Sequence, residues 1–492
     1  MTQEHFDVII VGSGLSGIDA AYHVQTYCRN KSYVILEGRD AIGGTWDLFR
    51  YPGIRSDSDM YTFGYSFRPW QSNASIAEGG LIRSYIRETA EAYGIDRHIR
   101  FRHRVTRASW SSADALWTIE AERGPDREPV RFTCNFLFGC TGYYDYAGGY
   151  APEFAGAEKF RGRIVHPQQW PEALDYAGKR VVVIGSGATA VTIIPAVAET
   201  AAQVTMLQRS PTYIVARPSQ DPFVIWLRRH LPTKLAHDIA RWRNALLGLY
   251  LYNRCRRKPE AVKHAIVELA RQELGADYDV ETHFTPRYNP WDQRLCLAPD
   301  ADFFRAIKAG KADVVTDEIE TFTETGIRLR SGRELSADII VTATGLKMQL
   351  LGGIEVVVDG KPVKFSETMN FRGVMLSDVP NLANIFGYTN ASWTLKCDLI
   401  CAYIARLINY MDRHDYVQCT PRRRDASITP EPLIDFSSGY IQRTIDQFPR
   451  QGSKKPWKLY QNYLLDLVSL RFGPVNDKAL EFSRRRQRAK AA

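Results

Sequence analysis

Phe6-Asp7-Val8-Ile9-Ile10-Val11-Gly12-Ser13-Gly14-Leu15-Ser16-Gly17 is the stretch that decides the fold. A short, β-branched apolar run ending in glycine reads as a buried parallel strand. In the turn that follows, Gly12 permits the sharp bend and Gly14 lets the backbone approach a pyrophosphate. Gly17 lets the next helix pack closely on the strand. The N-terminus of that helix would aim its unpaired N–H groups at the phosphates. A second apolar run, Tyr33-Val34-Ile35-Leu36, ends on Glu37, 20 residues beyond Gly17, where a carboxylate accepts hydrogen bonds from a ribose. Strand, glycine turn, helix and acidic strand end together make the opening βαβ unit of a doubly wound sheet.

The same signature recurs. Lys179 to Ile184 is a strand, Gly185-Ser186-Gly187-Ala188-Thr189-Ala190 a glycine turn, and Gln203 to Gln208 the second strand after a helix. Here the second strand is followed by Arg209-Ser210 in place of an acid. A carboxylate would repel a 2′-phosphate, whereas Arg209 can grip it bidentately. The two units therefore predict a division of labour, FAD in the first and NADPH in the second. Gly12, Gly14, Gly17 and Glu37 are the expected FAD contacts. Gly185, Gly187, Ala188, Thr189, Gln208, Arg209 and Ser210 are the expected NADP contacts. Asn135 to Gly142 and Asp338 to Gly345 are each a strand ending in a glycine turn, and would carry the chain back across a domain boundary.

The expected class is α/β, with two dinucleotide-binding, Rossmann-like domains and a helical insertion in the second. The FAD-binding domain is expected over 1–145 and 346–492, and the NADPH-binding domain over 146–345. The helical insertion is expected over 218–285. A chain of 492 residues is too long for one ordinary core. Apolar residues at 45% and charged residues at 24% set the balance of a globular protein. The net charge of +9 is concentrated in Arg254 to Lys258, Arg422 to Arg424 and the tail Arg484 to Lys490. The tail lacks interleaved aromatics and a reading helix, which argues against a nucleic-acid partner. Eight scattered cysteines lack C-x-x-C spacing, so no metal site is expected, and they read as buried side chains in a reducing compartment. Ala245 to Tyr252, the longest central apolar stretch, is far short of the ~20 residues of a spanning helix. A cytoplasmic protein is expected, with at most weak peripheral contact between its basic segments and a membrane.

Two longer patterns narrow the chemistry. Phe160-Arg161-Gly162-Arg163-Ile164-Val165-His166-Pro167-Gln168-Gln169-Trp170-Pro171 and Gly44-Thr45-Trp46 through Tyr51-Pro52-Gly53 to Asp57 stand in order. They resemble the two fingerprints of type I Baeyer–Villiger flavin monooxygenases. Trp46 to Asp59, Asn289 to Leu295 and Gly387 to Trp393 bring the chain nearest the ethionamide-activating branch. The resemblance runs over essentially the whole chain. It implies that ketones become esters or lactones at the expense of NADPH and O2 through a flavin C4a-peroxide, with sulfides oxidised as well. It also implies Arg294 as active-site arginine, contacting NADP too, and Asp57 as the carboxylate that positions it beside the flavin. Gly44, Thr45, Trp46 and Asn390 would complete the FAD site, with a helix N-terminus after Gly387 near the flavin pyrimidine. Phe160, Gly162, His166 and Trp170 would form a hinge between the domains. Pro69, Trp70, Tyr143, Tyr144, Trp291 and Trp393 are expected near an apolar substrate pocket.

One departure stands out. Many relatives place Lys before the active-site arginine, and here that residue is Gln293. The preference for NADPH then rests on Arg209. Three alternatives stay open at this point: a flavin S- or N-oxygenase, an FAD/NADPH disulfide reductase, and a non-catalytic flavoprotein scaffold. The second needs a close redox cysteine pair, and Cys397 and Cys401 are the nearest candidates.

Overall fold

The computed structural model describes residues 4–434 and 436–485; the basic tail expected as far as Lys490 lies, beyond Arg485, outside them. Glu4–Val11 pairs parallel with Tyr33–Leu36 on one side and Glu128–Gly139 on the other, at the centre of an 11-stranded sheet. Neighbouring residues of this strand feed opposite faces. Val8 and Ile10 join one apolar cluster, Ile9 and Val11 the other. A strand buried on both faces has no polar side to show water, which is why its sequence is a continuous apolar run.

The second glycine unit builds its own five-stranded parallel sheet. Its order is Ala312–Thr316, Gln203–Gln208, Arg180–Ile184, Ile339–Thr342 and Arg163–Val165. Val181 and Val183 face one cluster, and Val182 and Ile184 the other. After this sheet the chain rejoins the first. Glu355–Val358 pairs parallel with His103–Ser111, and Leu382–Asn384 pairs parallel with Glu128–Gly139.

Four helices, Pro222–His230, Thr233–Arg257, Pro259–Leu274 and Val280–Phe284, intervene between Ile214–Arg217 and Cys296–Pro299. Those two strands pair parallel with each other. Asp221 caps the first helix through the Phe223 and Val224 amides, ahead of Pro222 at its first position. Among the described residues no helix is long and apolar enough to cross a membrane.

Candidate active site

Both glycine turns are forced by what lies behind them. Gly12 has φ +102°, and a methyl group there would stand 2.6 Å from the Cys140 carbonyl oxygen. Gly185 has φ +129°, and a methyl there would meet the Ala343 carbonyl oxygen at 2.4 Å. Cys140 and Ala343 sit at the ends of the two returning strands, so each turn rests on its own crossover. A side chain at either glycine would be strained by φ and by contact alike.

A cavity of about 1070 Å³ runs between the two turns. Gly12, Gly14, Glu37, Gly44, Thr45 and Trp46 line it from the first unit. Gly185, Gly187, Ala188, Thr189 and Arg209 line it from the second. Asp57 and Arg294 line the stretch between them and form an ion pair, with Arg294 Nε 2.8 Å from Asp57 Oδ2. Burial works against the arginine's charge, but Asp57 beside it, with the tyrosine hydroxyls of residues 143, 440 and 144, outweighs that. The guanidinium pKa is held above its ordinary value. The side chain still keeps 32% of its surface accessible, because it faces the cavity. A fixed cation in a deep, partly apolar space is the arrangement that stabilises developing negative charge.

The first unit's cradle is closed. Glu37 is buried; its Oε2 accepts from the Ser13 amide (2.7 Å) and Ser13 Oγ (2.8 Å), and its Oε1 from the Arg39 amide (2.8 Å). The loop through Gly44 covers the turn, bringing the Gly44 Cα to 3.5 Å from where a Gly14 methyl would stand. By contrast nothing lies within 4 Å of the corresponding point at Gly187. Arg209 is exposed at the rim.

The second fingerprint joins the two units. Tyr51 packs on the apolar core of the second unit beside Thr189, and burial pushes its hydroxyl pKa up to about 12. A methyl on Gly53 would lie 2.7 Å from the Thr192 carbonyl oxygen and 2.8 Å from Ala196 Cβ. Tyr51 and Gly53 therefore touch the helix Ala188–Ala198 directly. In the first fingerprint, the Gln168 amide donates to His166 Nδ1 (3.2 Å), which puts the ring proton on Nε2, 3.3 Å from the Gly345 carbonyl oxygen. Burial lowers the His166 pKa, so the ring is neutral near pH 7 with both nitrogens engaged. Phe160, Gly162, His166 and Trp170 are not cavity-lining residues. Trp170 instead lines a small cleft with Arg50 and Pro52.

Several expected contacts are corrected. Gln208 is turned into the protein, with its amide nitrogen on the His283 carbonyl (2.8 Å) and Thr316 Oγ1 (2.9 Å). Ser210 contributes its carbonyl to Ser186 Oγ (3.1 Å) instead of lining the cavity. Asn390 turns away, donating to the Gln461 carbonyl at 2.7 Å, while its neighbours Tyr388, Ala391 and Trp393 reach the cavity. Gly17 lies beneath the turn, where a methyl would be 1.9 Å from the Gly12 carbonyl oxygen, so its role is packing. Of the residues expected near the pocket, Tyr143, Tyr144 and Trp393 line the cavity, whereas Pro69, Trp70 and Trp291 do not. Trp70 is core, with its indole N–H on the Ala74 carbonyl. Trp291 packs edge-on to Tyr252.

Arg39, Tyr146, Tyr440 and Arg443 line the cavity without having been singled out. Arg39 stands two residues past Glu37, near enough to the motif to be found. Tyr440 and Arg443 come from a late segment with no motif of its own. Cys397 and Cys401 are both fully buried in the helix Trp393–Arg413, and burial holds both thiol pKa values well above the ordinary. Neither cysteine lines the cavity. Reactive thiolates need the opposite setting, which counts against disulfide-reductase chemistry.

Two nucleotide cradles facing one cavity, with a charged arginine between them, define a two-cofactor flavoprotein oxidoreductase. Residues 59–245 match the family model described as flavin-binding monooxygenase-like, and residues 10–73 match an NAD(P)-binding Rossmann-like domain. The chain is 53% identical to FAD-containing monooxygenase EthA of Mycobacterium tuberculosis H37Rv over 483 residues, 98% of each chain. It is also 53% identical to the EthA protein of Mycolicibacterium smegmatis over 490 residues, 99% of each. An oxidized steroid monooxygenase bound to NADP has the same fold, with a TM-score of 0.77 over 98% of this chain and 100% of that one at 20% identity. The chain belongs to the family of FAD-containing monooxygenases.

Proposed function

We propose that this protein is an NADPH-dependent Baeyer–Villiger monooxygenase that inserts one oxygen atom of O2 into small apolar ketones and also oxidises sulfides. FAD would sit in the first cradle, with its adenosine ribose on Glu37, and NADPH in the second, with its 2′-phosphate on Arg209. The domain ranges 1–145 with 346–492 and 146–345 follow from that assignment, with 218–285 as the helical insertion. The carrying observation is the Arg294–Asp57 pair in the space between the cradles. The residues suit the two cofactors. Gly14 and Gly187 leave room for backbone approach to phosphates, Glu37 is an acceptor for ribose hydroxyls, and Arg209 is a cation for a phosphate. The unequal enclosure of the cradles suits a resident cofactor in the first and an exchanging one in the second.

When bound, the pair supplies the reducing equivalents and the site at which O2 is activated. This chain's own part is electrostatic and positional. Asp57 holds the guanidinium at the cavity wall through their ion pair, where its charge can meet an anionic oxygen. Tyr143, Tyr144 and Trp393 wall the same space with aromatic surface suited to an apolar ketone. His166 is neutral and engaged at both nitrogens, which favours a positioning role over proton transfer.

Arg294→Ala tests the reading. Losing an oxyanion-type contact typically costs ~3–4 kcal/mol of barrier, roughly 10²–10³ in turnover. The expected result is near-normal NADPH-dependent flavin reduction, with ester formation lost and NADPH consumption diverted to hydrogen peroxide. The assay supplies isotopically labelled O2 with linear ketones, cyclic ketones and sulfides, and measures product by mass spectrometry. Undiminished labelled ester in the variant would remove Arg294 from the mechanism. Labelled sulfoxide without any ester in the parent enzyme would reassign it as an S-oxygenase.

A further inference from the structure

Much of the apolar surface that the fold leaves outside is gathered on one side. In the helix Thr233–Arg257, Leu235, Trp242, Leu246 and Tyr250 are between 43% and 56% exposed. At ~100° per residue they fall in one narrow stripe. His237, Ala240, Arg241 and Cys255, on the opposite side, are buried. The helix is thus apolar on the face that points to water, the reverse of an ordinary surface helix. Next to it Phe223 and Trp226 of Pro222–His230 are 41% and 53% exposed. The Trp242 ring lies 5.8 Å from that of Tyr463, which brings in the segment where Val468 and Phe472 are 63% and 74% exposed. Surface apolar residues are ordinary singly, but a continuous patch marks a binding face.

We propose that this face docks on an anionic lipid bilayer. Charge separates this occupant from a second copy of the chain. Between positions 221 and 258 stand nine Lys and Arg residues against Asp221 and Asp238; with Arg241 buried and Lys234, Arg243 and Arg256 in ion pairs, Arg228, Arg229, Arg254, Arg257 and Lys258 supply the surplus positive charge. Two such faces brought together would oppose cation to cation, whereas anionic headgroups complement them. Tryptophan and tyrosine amid arginines is also the composition that rests at a bilayer interface without spanning it. The inner side of the same helix is tied to the cavity wall. The buried Arg241 guanidinium donates to the carbonyl oxygens of Tyr61 (3.1 Å), Thr62 (3.1 Å) and Gly64 (2.8 Å). Phe63, in that segment, lines the cavity. Docking would therefore hold the cavity one helix thickness, ~10 Å, from the lipid, where apolar substrates are concentrated.

The test is co-sedimentation of the FAD-loaded enzyme with vesicles of phosphatidylcholine alone and of phosphatidylcholine with phosphatidylglycerol. Binding is expected to the anionic vesicles, weakening as salt is raised, with a blue shift of tryptophan fluorescence. Trp226→Ser with Trp242→Ser should weaken it at least roughly tenfold and abolish the blue shift. Arg254→Glu with Arg257→Glu should weaken it by a similar factor while leaving flavin content and turnover of a water-soluble ketone unchanged. Absence of binding to anionic vesicles, or undiminished binding by both variants, would overturn the proposal. So would a concentration-dependent dimer in sedimentation that the tryptophan substitutions dissolve, which would assign the face to a second copy.

Discussion

The two glycine turns have the same frame and differ in how tightly each is shut. Gly12 and Gly185 each bend over a carbonyl of a returning strand, that of Cys140 in one unit and Ala343 in the other. Three residues past the second glycine of each turn the units part. The first has Gly17, where a methyl would be 1.9 Å from the Gly12 carbonyl oxygen, and the second has Ala190, whose methyl is accommodated in the core. At the strand ends the first unit has a buried carboxylate anchored by three hydrogen bonds, and the second an exposed cation at the rim. One fold therefore makes a close-fitting, covered cradle and a looser, open one by changing a few side chains. The difference is what a cofactor held through many turnovers and one exchanged at every turnover would each require.

The largest expected effect comes from making the first unit like the second. Gly17→Ala must push the helix off the turn, an overpacking cost of ~1–3 kcal/mol or more placed directly under the phosphate site. The purified variant should lose most of its flavin absorbance. The reciprocal change, Ala190→Gly, should cost only ~1 kcal/mol in helix stability and leave cofactor affinities nearly unchanged. Equal effects of the two changes would erase the contrast. Next in size are the strand ends. Glu37→Ala strands the buried Ser13 amide, costing ~1–3 kcal/mol, and should lower FAD retention without altering the preference for NADPH. Arg209→Ala should raise the KM for NADPH roughly tenfold or more and hardly change that for NADH. Equal rises for both cofactors would remove Arg209 from the 2′-phosphate.

Much of this is legible because strands buried on both faces and glycine turns leave local marks. The run 6–17 and its repeat at 179–190 announced two strand–turn–helix units, and Arg294 with Asp57 followed from the family patterns. What the sequence hid is where a side chain points at the end of an element. Gln208 ends its strand and Arg209 lies in the bend just past it, and Gln208 is drawn inward by Thr316 and the His283 carbonyl. Asn390 belongs to a motif that borders the cavity, yet Gln461, far along the chain, takes its amide. Tyr440 and Arg443 reach the cavity through tertiary packing alone, which no local pattern encodes. Trp70 and Trp291 were expected in the pocket for being aromatic near a motif, and the core claims aromatics more often than a pocket does.

The smallest expected effect falls on the segment that follows the edge strand Arg163–Val165 of the second sheet, and it carries a pH signature. His166 accepts from the Gln168 amide and presents its Nε2 proton to the Gly345 carbonyl, at the end of the strand that then leads back to the first unit. Burial lowers its pKa below the ordinary value of 6.5. For a base depressed in the folded state, the unfolded chain takes up a proton first as pH falls. The stabilisation from neutral His166 is then complete above about pH 6.5 and is lost on descent through that value. Protonation would also set an Nδ1–H against the Gln168 N–H. Thermal melts from pH 8 to 5.5, taken with and without NADP, should show the parent losing slightly more stability at the acid end than His166→Asn. The excess should be greater with NADP bound, if ligand closes the looser cradle against this segment. The same acid slope in both proteins would mean that His166 takes up its proton alike in the folded and the unfolded chain, and that the segment joins the two units without sensing pH.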